Sequence, residues 1–218
     1  MTGPFAALGR VYDRAFARAY DPVLAGPERA GLGRARERLL ADATGRVLEI
    51  GAGTGANLPH LRRRDLASLL LVEPSEPMRD RLARRMRGER SHLPTDTRIL
   101  DGSAASLPVA DGGVDTVVST LVLCSVPDLD AAVEELHRVL APGGRLLLLE
   151  HVAGHGRTRR IQGIIDPGWR VVARGCRLVR DTRAALERGG FDTAEVEDWR
   201  MPGGGVTGPA LLGVARPR

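Results

Sequence analysis

Lysine is missing altogether from the 218 residues: the 32 strongly basic side chains are all arginine, against 27 acids, for a formal charge of +5. A genome rich in G and C accounts for that preference, and attraction to anionic ligands, membranes or nucleic acid is the alternative. Aromatic residues make up only 3% of the chain, which leaves few platforms for base stacking. The arginines are also interleaved with acids, so no basic block marks a nucleic-acid partner. Cysteine occurs twice, at Cys124 and Cys176. Neither has a second cysteine at metal-ligand spacing, which argues against a zinc site, and two distant cysteines make no disulfide framework. They read as small core hydrophobes. Apolar runs of the roughly 18–20 residues that span a bilayer are absent. The first residues lack the charged-then-apolar pattern of a secretory signal. The expectation is a cytoplasmic protein without stable membrane insertion.

What is present suits one globular domain, with 43% apolar and 27% charged residues. Leu8, Val11, Tyr12, Ala15, Phe16 and Ala19 recur at helical spacing, and Asp21-Pro22 is expected to break that helix. A second helix is expected over 31–41. From Arg46 onward strands and helices alternate. Strands are expected at 47–50, 69–72, 97–100, 114–119 and 145–149, with helices at 77–87 and 129–140. A further helix is expected from the glycines after Ile50 to about Leu61. Beyond His151 the pattern loosens to one helix at 181–188 and two closing strands at 193–200 and 210–215, joined by a long Gly/Pro hairpin loop. The alternation predicts an α/β, Rossmann-like three-layer sandwich with a seven-stranded, mostly parallel sheet and an N-terminal helical lid. One domain then divides into a helical cap (1–44), a cofactor-binding core (45–152) and an acceptor-side segment with closing strands (153–218).

Gly51, Gly53 and Gly55 follow the first strand, where a turn without Cβ atoms lets backbone approach a ligand. Gly51-x-Gly53-x-x-Ala56 also fits the dinucleotide-binding fingerprint, so an NAD(P) oxidoreductase competes on this loop alone. Glu73 ends the second strand, where an acid can accept ribose hydroxyls under either reading. Glu49 favours the other cofactor: a carboxylate sits awkwardly beside a pyrophosphate but suits an ammonium and a sulfonium.

VLEIGAGTGANL, EPSEPM, GSAASLPVADGGVDTVVS and ELHRVLAPGGRLLLLEHV occur in that order. Over about 47–152 the chain resembles the class I S-adenosylmethionine-dependent methyltransferases, particularly the branch of the ubiquinone and menaquinone C-methyltransferases. The resemblance implies S-adenosylmethionine as cofactor and S-adenosylhomocysteine as its product. It implies that Glu49, Gly51, Ala52, Gly53, Thr54, Gly55 and Asn57 hold the amino-acid end. Glu73 and Pro74 would serve the ribose, Met78 the adenine face, and Gly102, Ser103 and Ala104 the adenine edge. Many relatives carry Asp at the Ser103 position, and Asp101 is a neighbouring substitute. Thr120 and Leu121 would stand where cofactor meets acceptor.

VYDRAFARAYDPV, LVLCSVPDLD and GCRLVRDTRAALERGGF flank that core and resemble the alkyl-thiol methyltransferase subgroup. This implies a small-molecule acceptor, with the sulfur of a small apolar thiol ahead of a quinone, a natural-product oxygen or carbon, or a phospholipid nitrogen. A catalytically silent cofactor binder is a further alternative. His151, ending the fifth strand, and Asp166, in the segment IIDPGW read as a loop, are the candidate catalytic residues. Trp169, Tyr12, Phe16 and Tyr20 are candidates to wall the acceptor pocket. No metal is expected.

Overall fold

A computed structural model describes residues 4–61 and 66–218, with the side chains of 4–8 and 10 outside the description. Seven strands form one sheet: β1 (Gly45–Ile50), β2 (Leu66–Val72), β3 (Thr97–Leu100), β4 (Val114–Thr120), β5 (Leu140–His151), β6 (Phe191–Arg200) and β7 (Pro209–Pro217). Their order is β3-β2-β1-β4-β5-β7-β6. β7 runs antiparallel to both β5 and β6, and every other pairing is parallel. The sheet reverses direction of winding between β1 and β4, and open α/β sheets open a ligand crevice at the carboxyl ends of such strands.

The sheet separates two cores. Leu48, Ile50, Val117, Leu146 and Leu148 face α4 (Leu129–Val139) and α6 (Thr182–Arg188). Val47, Leu69, Leu71, Val118 and Leu147 face α2 (Gly33–Leu40) and α3 (Glu76–Glu89). Near-continuous apolar strands are what a sheet covered on both faces requires. Asp128 caps α4 by accepting from Ala131 N (3.1 Å), and Asp181 caps α6 through Ala184 N (3.2 Å).

Four expectations need correction. The first helix does not break at Pro22: α1 runs Pro4–Pro27. Pro22 and Arg18 are both exposed, so water can serve the carbonyl that Pro22 leaves free. The chain instead bends at Gly31, whose φ of 147° only glycine adopts readily, before α2. No helix follows the glycine turn as far as Leu61; consecutive turns lead only to a single 3-10 turn at Leu58–His60. β5 starts at Leu140, because Leu140 pairs with Val114 ahead of an irregularity in the ladder. Finally, IIDPGW is not a loop: it belongs to α5 (Gly156–Val172), with Pro167 inside the helix and exposed.

Among the described residues no helix is long and apolar enough to cross a membrane.

Candidate active site

The cradle begins where β1 ends. Gly51, Gly53 and Gly55 have φ of 53°, 57° and 84°, so the backbone turns left-handed at every second residue. At Gly51 a Cβ would meet Val122 Cγ2 at 2.6 Å, so packing forbids one there. At Gly53 the nearest atoms would be Gly51 O at 3.8 Å and Tyr20 Cε1 at 4.0 Å. The left-handed φ accounts for the glycine, and its missing side chain leaves open space beside the turn. Glu73, at the end of β2, fixes the turn from the other side: its carboxylate accepts from Gly53 N (2.9 Å) and from Ser75 N (2.8 Å). Burial raises the Glu73 carboxyl above its ordinary pKa, and these two N–H groups oppose the rise.

Beneath the turn lies a buried polar network that sequence reading saw only in part. Arg36 Nη1 donates to Asn57 Oδ1 (2.8 Å) and Thr120 Oγ1 (2.9 Å), while its Nε donates to Glu28 Oε1 (3.0 Å). Asn57 Nδ2 donates to Glu49 Oε1 (2.9 Å). Arg36 is 2% exposed and sits in the apolar stripe Leu32, Ala35, Leu39, Leu40 of the second helical segment. An arginine at a core-facing position was the available signal, because buried charges are paired or functional. Glu49 itself is buried, and its second oxygen, Oε2, has no hydrogen-bond partner among the described residues. Burial pushes the Glu49 carboxyl up to about 7, against the Asn57 hydrogen bond and the Arg36 charge.

The expected adenine side is less enclosed. Met78 is buried on α3 and Ala104 is buried in the loop after β3, while Ser103 is exposed and bridges Ser106. Asp101 is exposed and paired with Arg79 (2.8 Å), which also donates to Glu73 O (2.7 Å). At the end of β4, Thr120 joins the network and Leu121 takes a left-handed φ of 61°. A leucine held there stores strain of about 1–3 kcal/mol, a cost that concentrates at functional sites. Glu150, which sequence reading missed, supports this bend: fully buried, it accepts from Ser119 Oγ (2.6 Å), Val122 N (2.9 Å) and Cys124 N (3.3 Å).

α1 lies across the cradle as a lid. Asp21 accepts from Thr54 Oγ1 in the turn and pairs with Arg81 (3.0 Å) and Arg85 (3.2 Å) on α3. Tyr12 donates to Val171 O at the end of α5 (2.6 Å). Tyr12, Phe16 and Tyr20 stack along α1, with ring centroids 6.2 and 5.7 Å apart. Burial pushes the Tyr20 hydroxyl up to about 12, and it lies within electrostatic reach of Arg36, Cys124 and Glu73. The glycine turn and the loop after β4 thus meet at one ring.

The two expected catalytic residues part company. Asp166, buried on α5, spends Oδ1 on Leu178 N (2.7 Å) and so fixes the chain after α5. His151 ends β5 with Nδ1 3.6 Å from Cys176 Sγ, and its Nε2 is buried with no hydrogen-bond partner among the described residues. Trp169 Nε1 is likewise buried, and the Trp169 side chain stands within hydrogen-bonding reach of the Cys176 sulfur. Cys124 and Cys176, far apart in sequence, are both buried and reduced and are brought to the same place. The neighbouring Cys124 thiol, and then His151, draw the Cys176 thiol below its ordinary range, against the effect of burial.

The glycine turn, Glu73 and Glu49 stand together at the crevice where the winding of the sheet reverses. Residues 48–148 match the methyltransferase domain family. Human thiol S-methyltransferase TMT1B is 34% identical over 81% of this chain and 73% of its own length. Human thiol S-methyltransferase TMT1A is 35% identical over 72% of this chain, which spans 64% of that relative. A Thermotoga maritima structure described as an S-adenosylmethionine-dependent methyltransferase, possibly acting on histamine nitrogen, superposes with a TM-score of 0.66. It is 22% identical and covers 94% of this chain and 96% of its own. The chain belongs to the class I S-adenosylmethionine-dependent methyltransferase family.

Proposed function

We propose that the protein transfers a methyl group from S-adenosylmethionine to the sulfur of a small apolar thiol. The observation that carries the donor assignment is Glu49 Oε2: a buried carboxylate oxygen without a partner, at the foot of a glycine turn, calls for a cation. The likeness to the two human thiol S-methyltransferases supports sulfur as the acceptor atom.

When bound, S-adenosylmethionine supplies an electrophilic methyl group on a sulfonium. Glu49 holds the ammonium of its amino-acid end, with Asn57 and Arg36 fixing the carboxylate's orientation. Glu73 keeps lone pairs for the ribose hydroxyls while anchoring the Gly53 turn, and Pro74 follows it at the rim. Met78 and Ala104 give the adenine an apolar wall. Tyr20 and Asp21 of α1 close over the turn and shield it from water. Methyl transfer is an in-line displacement, and alignment of the reactants can supply about 7–11 kcal/mol of its barrier. A thiol acceptor with a pKa near about 8.5 is already partly thiolate at neutral pH and needs little activation. His151 with Cys124 and Cys176 forms the acceptor end, and Asp166 positions the segment that carries Cys176. The reading places the protein in the cytoplasm, acting on a soluble metabolite such as a natural-product intermediate.

The test is incubation with S-adenosylmethionine and a panel of small thiols, phenols and quinols. Methyl on sulfur is expected. Methyl appearing only on oxygen or carbon overturns the acceptor assignment.

A further inference from the structure

Three separate segments deliver soft ligands to one point. The loop after β4 carries Cys124, β5 ends in His151, and the connection between α5 and α6 carries Cys176. The two sulfurs and a ring nitrogen all lie within 4.8 Å of one another. We propose that Cys124, His151 and Cys176 form a zinc site with three protein ligands, whose fourth position takes the sulfur of the acceptor thiol. The second half of this statement rests on the thiol methyl-transfer reading; the metal site itself does not.

The donor set comes first. Two thiolates and an imidazole suit Zn²⁺, and three protein ligands with one open position are the arrangement of zinc sites that bind substrate. The geometry is close. Zinc–sulfur bonds of about 2.3 Å and zinc–nitrogen bonds of about 2.0–2.1 Å in a tetrahedron put ligand atoms about 3.5–3.8 Å apart. The His151–Cys176 edge already measures 3.6 Å, and the remaining edges are bounded by 4.8 Å. Small side-chain rotations close the difference.

The backbone around the ligands is fixed without the metal. Cys124 N donates to Glu150 Oε2 (3.3 Å), and Arg177 N donates to Cys124 O (2.8 Å), which ties the two cysteine segments together. Cys176 N donates to Ala173 O (3.1 Å), and Asp166 holds Leu178 N (2.7 Å). Supports of this kind orient metal ligands before the ion arrives. Apolar packing alone accounts poorly for the place. His151 Nε2 is buried there with no hydrogen-bond partner among the described residues, although buried polar atoms are rarely left so. Arg180 lies within electrostatic reach of both sulfurs and offsets the negative charge that three thiolates leave on one zinc.

The chemistry balances. An acceptor thiol loses its proton to solvent as its sulfur bonds to zinc and remains a nucleophilic thiolate. Its lone pair forms the new sulfur–carbon bond while the methyl–sulfonium bond breaks. The products are a neutral thioether, which leaves the metal readily, and S-adenosylhomocysteine.

The experiment measures metal directly, without turnover. Full-length protein produced in zinc-supplemented medium is desalted and its metal content measured; about one zinc per chain is expected. Apo-protein reloaded with Co²⁺ should show an intense sulfur-to-cobalt charge-transfer band, which rises by about half when a small thiol becomes a third sulfur ligand. Cys176→Ser and His151→Asn should each abolish the band, with thermal melts as the control for folding. The wild-type spectrum decides the matter even where a variant fails to fold. Wild-type protein that retains no zinc and takes up no Co²⁺, or that carries a Cys124–Cys176 disulfide after anaerobic purification, overturns the site. A Co²⁺ band unchanged by added thiol overturns the open position. In either case methyl transfer to thiols can still be assayed, so failure of the metal and failure of the methyl-transfer reading are told apart.

Discussion

Replacing Glu49 by Gln should make the free protein more stable and its donor binding weaker, and the two effects have a common origin. Glu49 is 2% exposed, and burial lifts its carboxyl from 4.5 to about 7. A raised acid holds its proton longer in the folded chain than in the unfolded one. Between pH 4.5 and 7 the folded state therefore binds more protons, and stability falls as pH rises through that window. The shift corresponds to a loss on the order of 3 kcal/mol by pH 8, taken as an upper bound. Gln removes that loss and keeps an oxygen for Asn57 Nδ2, but it places an amide N–H where Oε2 has no partner, which costs about 1–3 kcal/mol. The net at pH 8 is a gain of about 1 kcal/mol, and the decline between pH 4.5 and 7 disappears. Binding moves the other way. Truncating one partner of a buried charge pair costs about 2–5 kcal/mol, so affinity for S-adenosylhomocysteine should drop by about two orders of magnitude at pH 8. In the wild type that affinity should also weaken as pH falls through about 7, because the ammonium meets a protonated acid; in Glu49→Gln it should be flat. Urea melts from pH 4.5 to 8 and calorimetric titration over the same range measure both. A Gln variant with wild-type affinity, or a wild-type affinity indifferent to pH, would refute the reasoning.

Three further outcomes follow from the same geometry. Gly53→Ala should fold, at a cost of about 1–2 kcal/mol for a left-handed alanine, yet lose S-adenosylhomocysteine binding in calorimetry; Gly51→Ala should be the less stable of the two, since its Cβ strikes Val122. Arg36→Met breaks a buried charge network and should cost about 3–5 kcal/mol in urea melts; where it still folds, the pH midpoint of donor binding moves above that of the wild type, because Arg36 holds Glu49 down. Asp166→Asn retains an oxygen for Leu178 N and should keep both stability and methyl transfer, whereas Asp166→Ala should lose about 1–3 kcal/mol of stability. Loss of turnover in a stable Asp166→Asn protein would instead make Asp166 an acid–base group.

The middle of the sheet was readable because β1, β2 and β4 are short, mostly apolar and bounded by turn residues. The glycine turn was readable for the same reason: Gly51 to Gly55 follow the first strand, and Glu73 follows the second. α5 was hidden because its pattern is inverted. It buries Gln162 and Asp166 while Ile164, Val171 and Val172 stay exposed, so hydrophobic periodicity points the wrong way and Pro167 reads as a break. The Arg36 network and the cluster of Cys124, His151 and Cys176 were hidden for a different reason. Each joins residues distant in sequence, and only the pairing of strands and the docking of α5 brings them together.

The central claim is that this turn holds a cationic nucleoside between two buried acids. A crystal structure with S-adenosylhomocysteine tests it most directly. The account predicts ribose hydroxyls on the Glu73 carboxylate and the amino group on Glu49, beneath Tyr20. A ligand seated elsewhere, or a nucleoside whose amino group leaves Glu49 Oε2 unpaired, would contradict it.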